Sequence, residues 1–343
     1  MVSIEDIRAR ARELLESGKV RAVVGYQRSS AGAIAEPAFI TSAEGVASLV
    51  WDPTCVHNLT LYLVNEKKAQ KHQRNPDTRP LAVVVKGCDS RAVTVLLQEN
   101  HIKRDEVVVL GVSCEGTGVV DPRKLSAALR GKTPGAVEFA GDAIKVTVGG
   151  KDQTLAAADV LADRCLECTM AYPTVSDDLY GDKVEARNYK QRFAAHDAIA
   201  AQSEQERWAF WENHFERCIR CYACRAVCPM CYCDECVVDS TSFVVGPSTT
   251  SQEKASRVHW IKRSNTPAEN TMYHLVRAMH LAGRCIDCAE CERVCPVNIP
   301  LRLLNNSMER EALTMFEYTP GMDASQASLI SAFSDSDPND FIR

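Results

Sequence analysis

Several things are missing from this 343-residue sequence, and each absence removes a class of function. No block of lysine and arginine is long enough to make a nucleic-acid surface, and the formal net charge is −5. No apolar run approaches the roughly 18–20 residues that cross a bilayer, so no membrane span is expected. The opening MVSIEDIRARARELLES carries acids at once and lacks the apolar stretch of a secretory signal, which points to a cytoplasmic chain. The eight histidines stand singly, and no acid–base pair or nucleophile stands out, so no catalytic residue is assigned.

Cysteine is what the sequence has in excess. There are sixteen, and eleven of them follow residue 217. Thiols in a cytosolic chain of this size stay reduced, and clustered ones bind metal more often than they form disulfides. The remaining composition, 45% hydrophobic and 25% charged, is that of an ordinary globular protein with two or three domains.

Residues 1–185 read as an α/β domain. An amphipathic helix over 3–18 leads to a strand at 20–25. LAVVVKG (81–87) runs into the helix DSRAVTVLLQEN (89–100), and EVVVLGV (106–112) follows. Continuous apolar runs alternating with helices predict a mostly parallel, buried sheet. Residues 136–155 alternate around GD and GG dipeptides, which predicts a hairpin at that sheet's edge. Residues 186–320 read as a helix-rich, ferredoxin-like 4Fe–4S domain. A capping box from Ser203 to Glu206 starts one helix, and Met272, Leu275, Val276 and Met279 mark one face of another, with Gly283 as its stop. Each helix delivers a cysteine run. The Ser/Thr-rich stretch 239–269 between them is expected to be a loop, and 321–343 an acidic tail.

Cys218, Cys221, Cys224 and Cys228 form C-x2-C-x2-C-x3-C followed by Pro229. Cys285, Cys288, Cys291 and Cys295 repeat the spacing before Pro296. In such runs the first three thiolates bind one 4Fe–4S cube and the fourth, next to proline, reaches the other cube. One cluster is therefore assigned to Cys218, Cys221, Cys224 and Cys295, the other to Cys285, Cys288, Cys291 and Cys228. Zinc sites pair two C-x2-C units and need no third cysteine in step with a trailing Cys-Pro. For the four flanking arginines, Arg217, Arg220, Arg225 and Arg284, the alternatives are stabilising the clusters' negative charge or a partner's acidic patch, and plain solvation. Trp208 and Trp211 read as shields or packing residues, His274 and His280 as packing or surface residues.

Eight cysteines remain. Cys88 and Cys114 each follow an apolar strand, the edge of an α/β sheet where ligands bind. Cys165-x2-Cys168 is a two-thiolate bite open to zinc, a redox disulfide or a cluster. Cys55 alone would be a core residue. With Cys231, Cys233 and Cys236 it would complete a fourth 4Fe–4S site, the alternative being structural thiols.

KGCDSRAVTVLLQEN, VVVLGVSCEGTG and RCLECTMAYPTVSDDLYGD resemble the beta-subunit family of deazaflavin-coenzyme hydrogenases and formate dehydrogenases over roughly residues 80–185. The resemblance implies a third 4Fe–4S cluster on Cys88, Cys114, Cys165 and Cys168 beside an FAD, with Asp178, Gly181 and Asp182 closing the cofactor-binding segment. The chain departs from the family after Gly181-Asp182, turning to KVEARNYKQRF and then to ferredoxin. This fusion of a truncated beta-subunit domain with a two-cluster ferredoxin is similar to electron-transfer subunits of formate dehydrogenase, hydrogenase and heterodisulfide-reductase-type complexes. It implies an anaerobic relay of single electrons between a catalytic partner and another redox subunit. The alternative is a flavin enzyme that takes or gives a hydride and passes electrons to its clusters.

Overall fold

The computed structural model describes residues 2–30, 32, 34–114, 118–186, 189–234, 236–239, 248, 250–256 and 261–332. The SDSDPNDFIR tail and residues 240–247, 249 and 257–260 of the stretch 239–269 predicted as loop lie outside this range, and the described part of that stretch holds a helix at Ser251–Ser256. The chain forms two compact units. The first gathers the described residues of Met1–Phe193, Ile286–Cys288 and Thr319–Asp337, the second those of Ala194–Cys285 and Ala289–Tyr318. No described helix is long and apolar enough to cross a membrane.

In chain order the first unit runs α1 (Ile4–Glu16), β1 (Ala22–Gln27), β2 (Glu36–Ile40), α2 (Thr60–Lys71), β3 (Leu81–Val85), α3 (Gly87–Gln98) and β4 (Val107–Val112). It continues with α4 (Pro122–Ala128), β5 (Ala136–Ala140), β6 (Ala143–Val148), β7 (Lys151–Ala156), α5 (Ala157–Val160), α6 (Asp163–Leu166) and β8 (Asp178–Tyr180). Five strands make a sheet of order β2-β1-β3-β4-β8. β1, β3, β4 and β8 are parallel in register, Ala22 facing Leu81, Leu81 facing Val107 and Leu110 facing Asp178. β2 is the antiparallel edge, pairing Val23 with Ile40. Every residue of β3 and β4 is buried, as a strand covered on both faces requires. Helix α1 turns Ile7, Ala11 and Leu14 inward, one stripe at helical spacing.

The segment 136–155 differs from its expectation. It is a separate antiparallel sheet of three strands, β5-β6-β7, and not a hairpin on the edge of the main sheet. The GD and GG dipeptides are its two turns: Gly141 has φ +65°, Gly149 +56° and Gly150 +75°, so both chain reversals are two-residue and tight. Val137, Ile144 and Val146 on its inner face pack with Val160, Leu161 and Leu166, which supply an apolar partner of their own.

The described residues of the second unit form helices only: α7 (Ala194–Ala200), α8 (Glu204–Glu216), α9 (Ala223–Ala226), α10 (Ser251–Ser256), α11 (Pro267–Leu281), α12 (Glu290–Arg293) and α13 (Leu301–Phe316). The Ser203–Glu206 capping box is formed, with Glu206 accepting from the Ser203 N–H at 2.9 Å. Gly283 ends the next helix at φ +68°. The buried face of α11 is not the expected one. Met272, Leu275 and Met279 are exposed, whereas Asn270, Tyr273, His274, Arg277, Ala278 and Leu281 are buried. Hydrophobicity alone misassigned the face because the inward side carries polar groups that serve the cysteine loops.

Candidate metal centres

The two cysteine loops of the C-terminal half share one backbone. Arg220 and Tyr222 in the first have φ +55° and +58°; Asp287 and Ala289, at the matching positions of the second, have +57° and +56°. Left-handed conformations are uncommon for such residues. Two of them around the middle cysteine curl the chain, where a continuous helix would string the three thiols over about 9 Å of one face. A four-residue helix then follows in each loop. Arg225 and Glu292 donate to the Tyr222 and Ala289 carbonyls at 2.9 and 3.1 Å, and Cys228 and Cys295 to those of Arg225 and Glu292, both at 3.2 Å. The same covalent spacing has produced the same turn twice.

In the second unit Cys218, Cys224, Cys291 and Cys295 are part of one buried cluster with Phe215, Tyr273, Ile299 and Leu304. Burial pushes the Cys218 thiol up, with Cys224 and Cys295 among its charged neighbours, so three of the four thiols assigned to the first cluster share one environment. Donors point at the sulfurs. The Ile299 N–H reaches Cys295 Sγ at 3.4 Å, Asn305 Nδ2 lies 3.7 Å from Cys291 Sγ, and Tyr273 Oη lies 3.3 Å from Cys224 Sγ. Hydrogen bonds to sulfur are a means of tuning cluster potential. Zinc sites pair two C-x2-C units, whereas each run here carries a third cysteine in step and a trailing Cys-Pro. An all-thiol donor set on two matching curled loops, with donors aimed at sulfur, fits 4Fe–4S clusters.

The flanking cations differ. Arg220 is buried, its guanidinium 4.6 Å from the Tyr273 ring, and donates to the Glu269 and Lys262 carbonyls at 2.8 and 2.9 Å. Arg225 pairs with Asp239 at 3.0 Å, and Arg284 lies over the Tyr232 ring at 5.1 Å. Arg217 touches His214 at the surface. Trp208 is exposed, while Trp211 stacks on Phe215 at 5.5 Å, a packing role. His274 also stacks on Phe215, at 4.8 Å; burial, then Arg277 and Arg220, push it down to about 3, so it stays neutral.

The four N-terminal candidates also meet. Cys88 lies in the first turn of α3, just past β3, and Cys114 just past β4, both at the C-terminal end of the parallel strands. Cys165 is in α6, and Cys168 follows it. All four line one cavity of about 50 Å³, together with Lys86, Arg91 and Arg164. Burial pushes Cys114 up to about 12, with Cys165 and Cys168 adding to it, and pushes Cys168 up to about 11. Backbone donors again face sulfur: the Val119 N–H reaches Cys165 at 3.4 Å and the Met170 N–H Cys168 at 3.3 Å. Four thiols and backbone donors suit an anionic cube, and the four cations of the lining, Arg192 with the three above, outnumber its two carboxylates, Glu167 and Asp287. The cavity is well below the 300–1,000 Å³ of small-molecule pockets.

Two glycines make this arrangement possible. A Cβ on Gly87 would lie 2.7 Å from the Met170 carbonyl oxygen and 2.9 Å from that of Tyr172. Gly118 has φ +97°, and its Cβ would meet Cys165 Sγ at 2.6 Å. Beside them, Lys86 Nζ sits 2.8 Å from Asp89 Oδ2 and donates to the His57 carbonyl at 2.7 Å and to Tyr26 Oη, with Lys86, Asp89 and Tyr26 buried. Burial opposes the ammonium, yet Asp89, Tyr26 and Cys88 together hold the Lys86 pKa well above its usual value. Neither the glycines nor this pair forms a motif in the sequence; Lys86, Gly87 and Asp89 surround Cys88 in the segment that follows β3.

The remaining candidates have other surroundings. Cys55 is fully buried in the first unit, accepts from the Asp52 N–H at 3.5 Å and lies 3.8 Å from the Val50 carbonyl. Burial, then Asp52, push its thiol up, the setting of a core cysteine. Cys231, Cys233 and Cys236 belong to the second unit. A hydrogen bond with Cys228 and the charge of Arg277, against burial, lower Cys231 to about 6. Asp178 accepts from Arg10 Nε at 3.0 Å, while Gly181 and Asp182 are exposed, and none of the three lines the cysteine cavity.

No family model matches the chain. It is similar to the F420-dependent formate dehydrogenase subunit beta of Methanocaldococcus jannaschii, 24% identical over 91% of this chain and 90% of that one. It is likewise 23% identical to the F420-dependent formate dehydrogenase 1 subunit beta of Methanococcus maripaludis, over 90% and 88% of the two chains. Among solved structures it is similar to a chain of the F420-reducing [NiFe] hydrogenase complex of Methanosarcina barkeri, with a TM-score of 0.36 and 12% identity over 47% of this chain and 57% of that one.

Proposed function

We propose that this chain is an iron–sulfur electron-transfer subunit of an oxidoreductase complex of the formate dehydrogenase or hydrogenase kind, passing single electrons between a catalytic partner and another redox subunit. The observation that carries the reading is the repeated loop: two C-x2-C-x2-C-x3-C-Pro runs with the same pair of left-handed residues and the same helical turn. Similarity to two formate dehydrogenase beta subunits along nine-tenths of the chain supports the assignment to such a complex.

In this reading Cys218, Cys221, Cys224 and Cys295 hold one 4Fe–4S cluster and Cys285, Cys288, Cys291 and Cys228 another. Cys88, Cys114, Cys165 and Cys168 hold a third. A bound cluster supplies one-electron storage. The chain's own residues set how readily it is used: Tyr273, Asn305 and the backbone N–H groups of Val119, Met170 and Ile299 donate to sulfur, and apolar packing excludes water. Cys55 is a core thiol in this account, and no fourth cluster is assigned. No general acid, base or nucleophile is needed.

The test is anaerobic reduction followed by electron paramagnetic resonance. Signals of reduced 4Fe–4S clusters that vanish on reoxidation support the relay; a protein that takes up no electrons from a low-potential donor refutes it. The relatives' F420-dependence is the one observation favouring the second reading, a flavin-bearing hydride enzyme. A flavin bound in equal amount to protein would put that reading first.

A further inference from the structure

Arg277 lies on the buried face of α11 and is 4% exposed. One of its terminal nitrogens donates to the Cys224 carbonyl at 3.0 Å, and its Nε has no hydrogen-bond partner. Among the described residues no carboxylate forms an ion pair with it. Its charged neighbours are instead the thiols of Cys231, Cys228, Cys291 and Cys224. Nearby arginines are answered differently, Arg225 by Asp239 and Arg293 by Glu290 at 2.7 Å.

Cys231, which belongs to neither assigned set, is hydrogen-bonded to the guanidinium; a buried guanidinium is costly unless anions face it, and neutral thiols offset it little. Thiolates do, and a 4Fe–4S cube with four thiolate ligands is a net anion. Cys224 belongs to the set assigned to one cluster, Cys228 and Cys291 to the set assigned to the other. We propose that Arg277 is a positioning residue shared by both clusters: it anchors the first loop through the Cys224 carbonyl, and its fixed charge raises both reduction potentials. Each reduction adds negative charge, which a nearby cation favours; without that cation the oxidised forms gain.

This inference rests on the two-cluster reading above. It is tested on the full chain purified anaerobically, as wild type, Arg277→Gln and Arg277→Lys, by potentiometric titration followed by electron paramagnetic resonance, with iron and acid-labile sulfide counted. In Arg277→Gln both midpoints should move negative, so that at the wild-type midpoint the reduced-to-oxidised ratio falls roughly ten-fold, about 59 mV for one electron. Arg277→Lys should keep its iron and lie closer to wild type. Unchanged potentials in a fully loaded Gln variant overturn the proposal, as does an equal shift in Lys and Gln. If the Gln variant loses its iron, the Lys variant decides: retained clusters support the role of charge, and loss in both shows that shape is what the site requires. A wild-type protein without acid-labile sulfide would instead mean that the cluster reading itself has failed.

Discussion

Gly87→Ala adds one methyl group where α3 begins, and the structure shows what it meets. The new Cβ would stand 2.7 and 2.9 Å from the Met170 and Tyr172 carbonyl oxygens and 3.2 Å from the Tyr172 carbonyl carbon. These are backbone atoms, so no side-chain rotation relieves the clash. The segment is also tied to the site, because the Cys114 N–H donates to the Ala171 carbonyl at 2.7 Å and the Met170 N–H to Cys168. Moving it displaces Cys114 and Cys168 away from Cys88. Overpacking of this kind costs about 1–3 kcal/mol, against a total stability of about 5–15 kcal/mol, so the chain folds. At roughly 2–4 °C per kcal/mol for a unit of this size, melting should fall by about 2–12 °C. Iron should fall by about four per chain, one cluster, leaving the C-terminal pair. The assay is iron and sulfide content with a thermal melt, side by side with wild type. An unchanged iron count and melting temperature would refute the packing argument, and loss of all iron would refute its locality.

Gly118→Ala should act on the same cluster through Cys165, since its Cβ would displace that thiol and its φ of +97° strains any other residue; iron content again reads the result. Lys86→Met should cost about 3–5 kcal/mol, because it strands Asp89 as a buried charge; a urea midpoint close to wild type would contradict the pairing. His274→Phe keeps the stacking on Phe215 and removes two ring nitrogens that have no partner. The folded state holds His274 at about 3, below its ordinary value near 6.5, so the unfolded chain binds the proton first and stability is lost as pH falls below about 6.5. By pH 5 that loss is on the order of 2 kcal/mol, and the Phe variant should be spared it in acid denaturation.

Sequence patterning reached the parallel sheet because β3 and β4 are unbroken apolar runs, and it reached the cysteine loops because their spacing is itself the geometry. The short edge strand β8 was not legible, since three residues held by Arg10 and by pairing with Leu110 carry no period of their own. The third sheet strand, β7, was missed for a similar reason: KDQTLA is nearly all exposed, and only its register with β6 makes it a strand. On α11 Met272, Leu275 and Met279 point outward, because Asn270, Tyr273, His274 and Arg277 share the inward face with Ala278 and Leu281. Asn270 donates to the Phe215 and Cys218 carbonyls at 3.0 and 2.9 Å and so fixes the entry to the first loop. Such residues satisfy backbone groups that the curled loops leave open, a need visible only once the loops are folded.

The central claim is the number and kind of clusters, and the most direct measurement is anaerobic purification with iron, acid-labile sulfide and flavin counted per chain. Three clusters predict about twelve irons and as many sulfides, with no stoichiometric flavin. About eight irons would leave the C-terminal pair standing and contradict the site at Cys88, Cys114, Cys165 and Cys168. Zinc in place of iron, or no labile sulfide, would contradict the account as a whole.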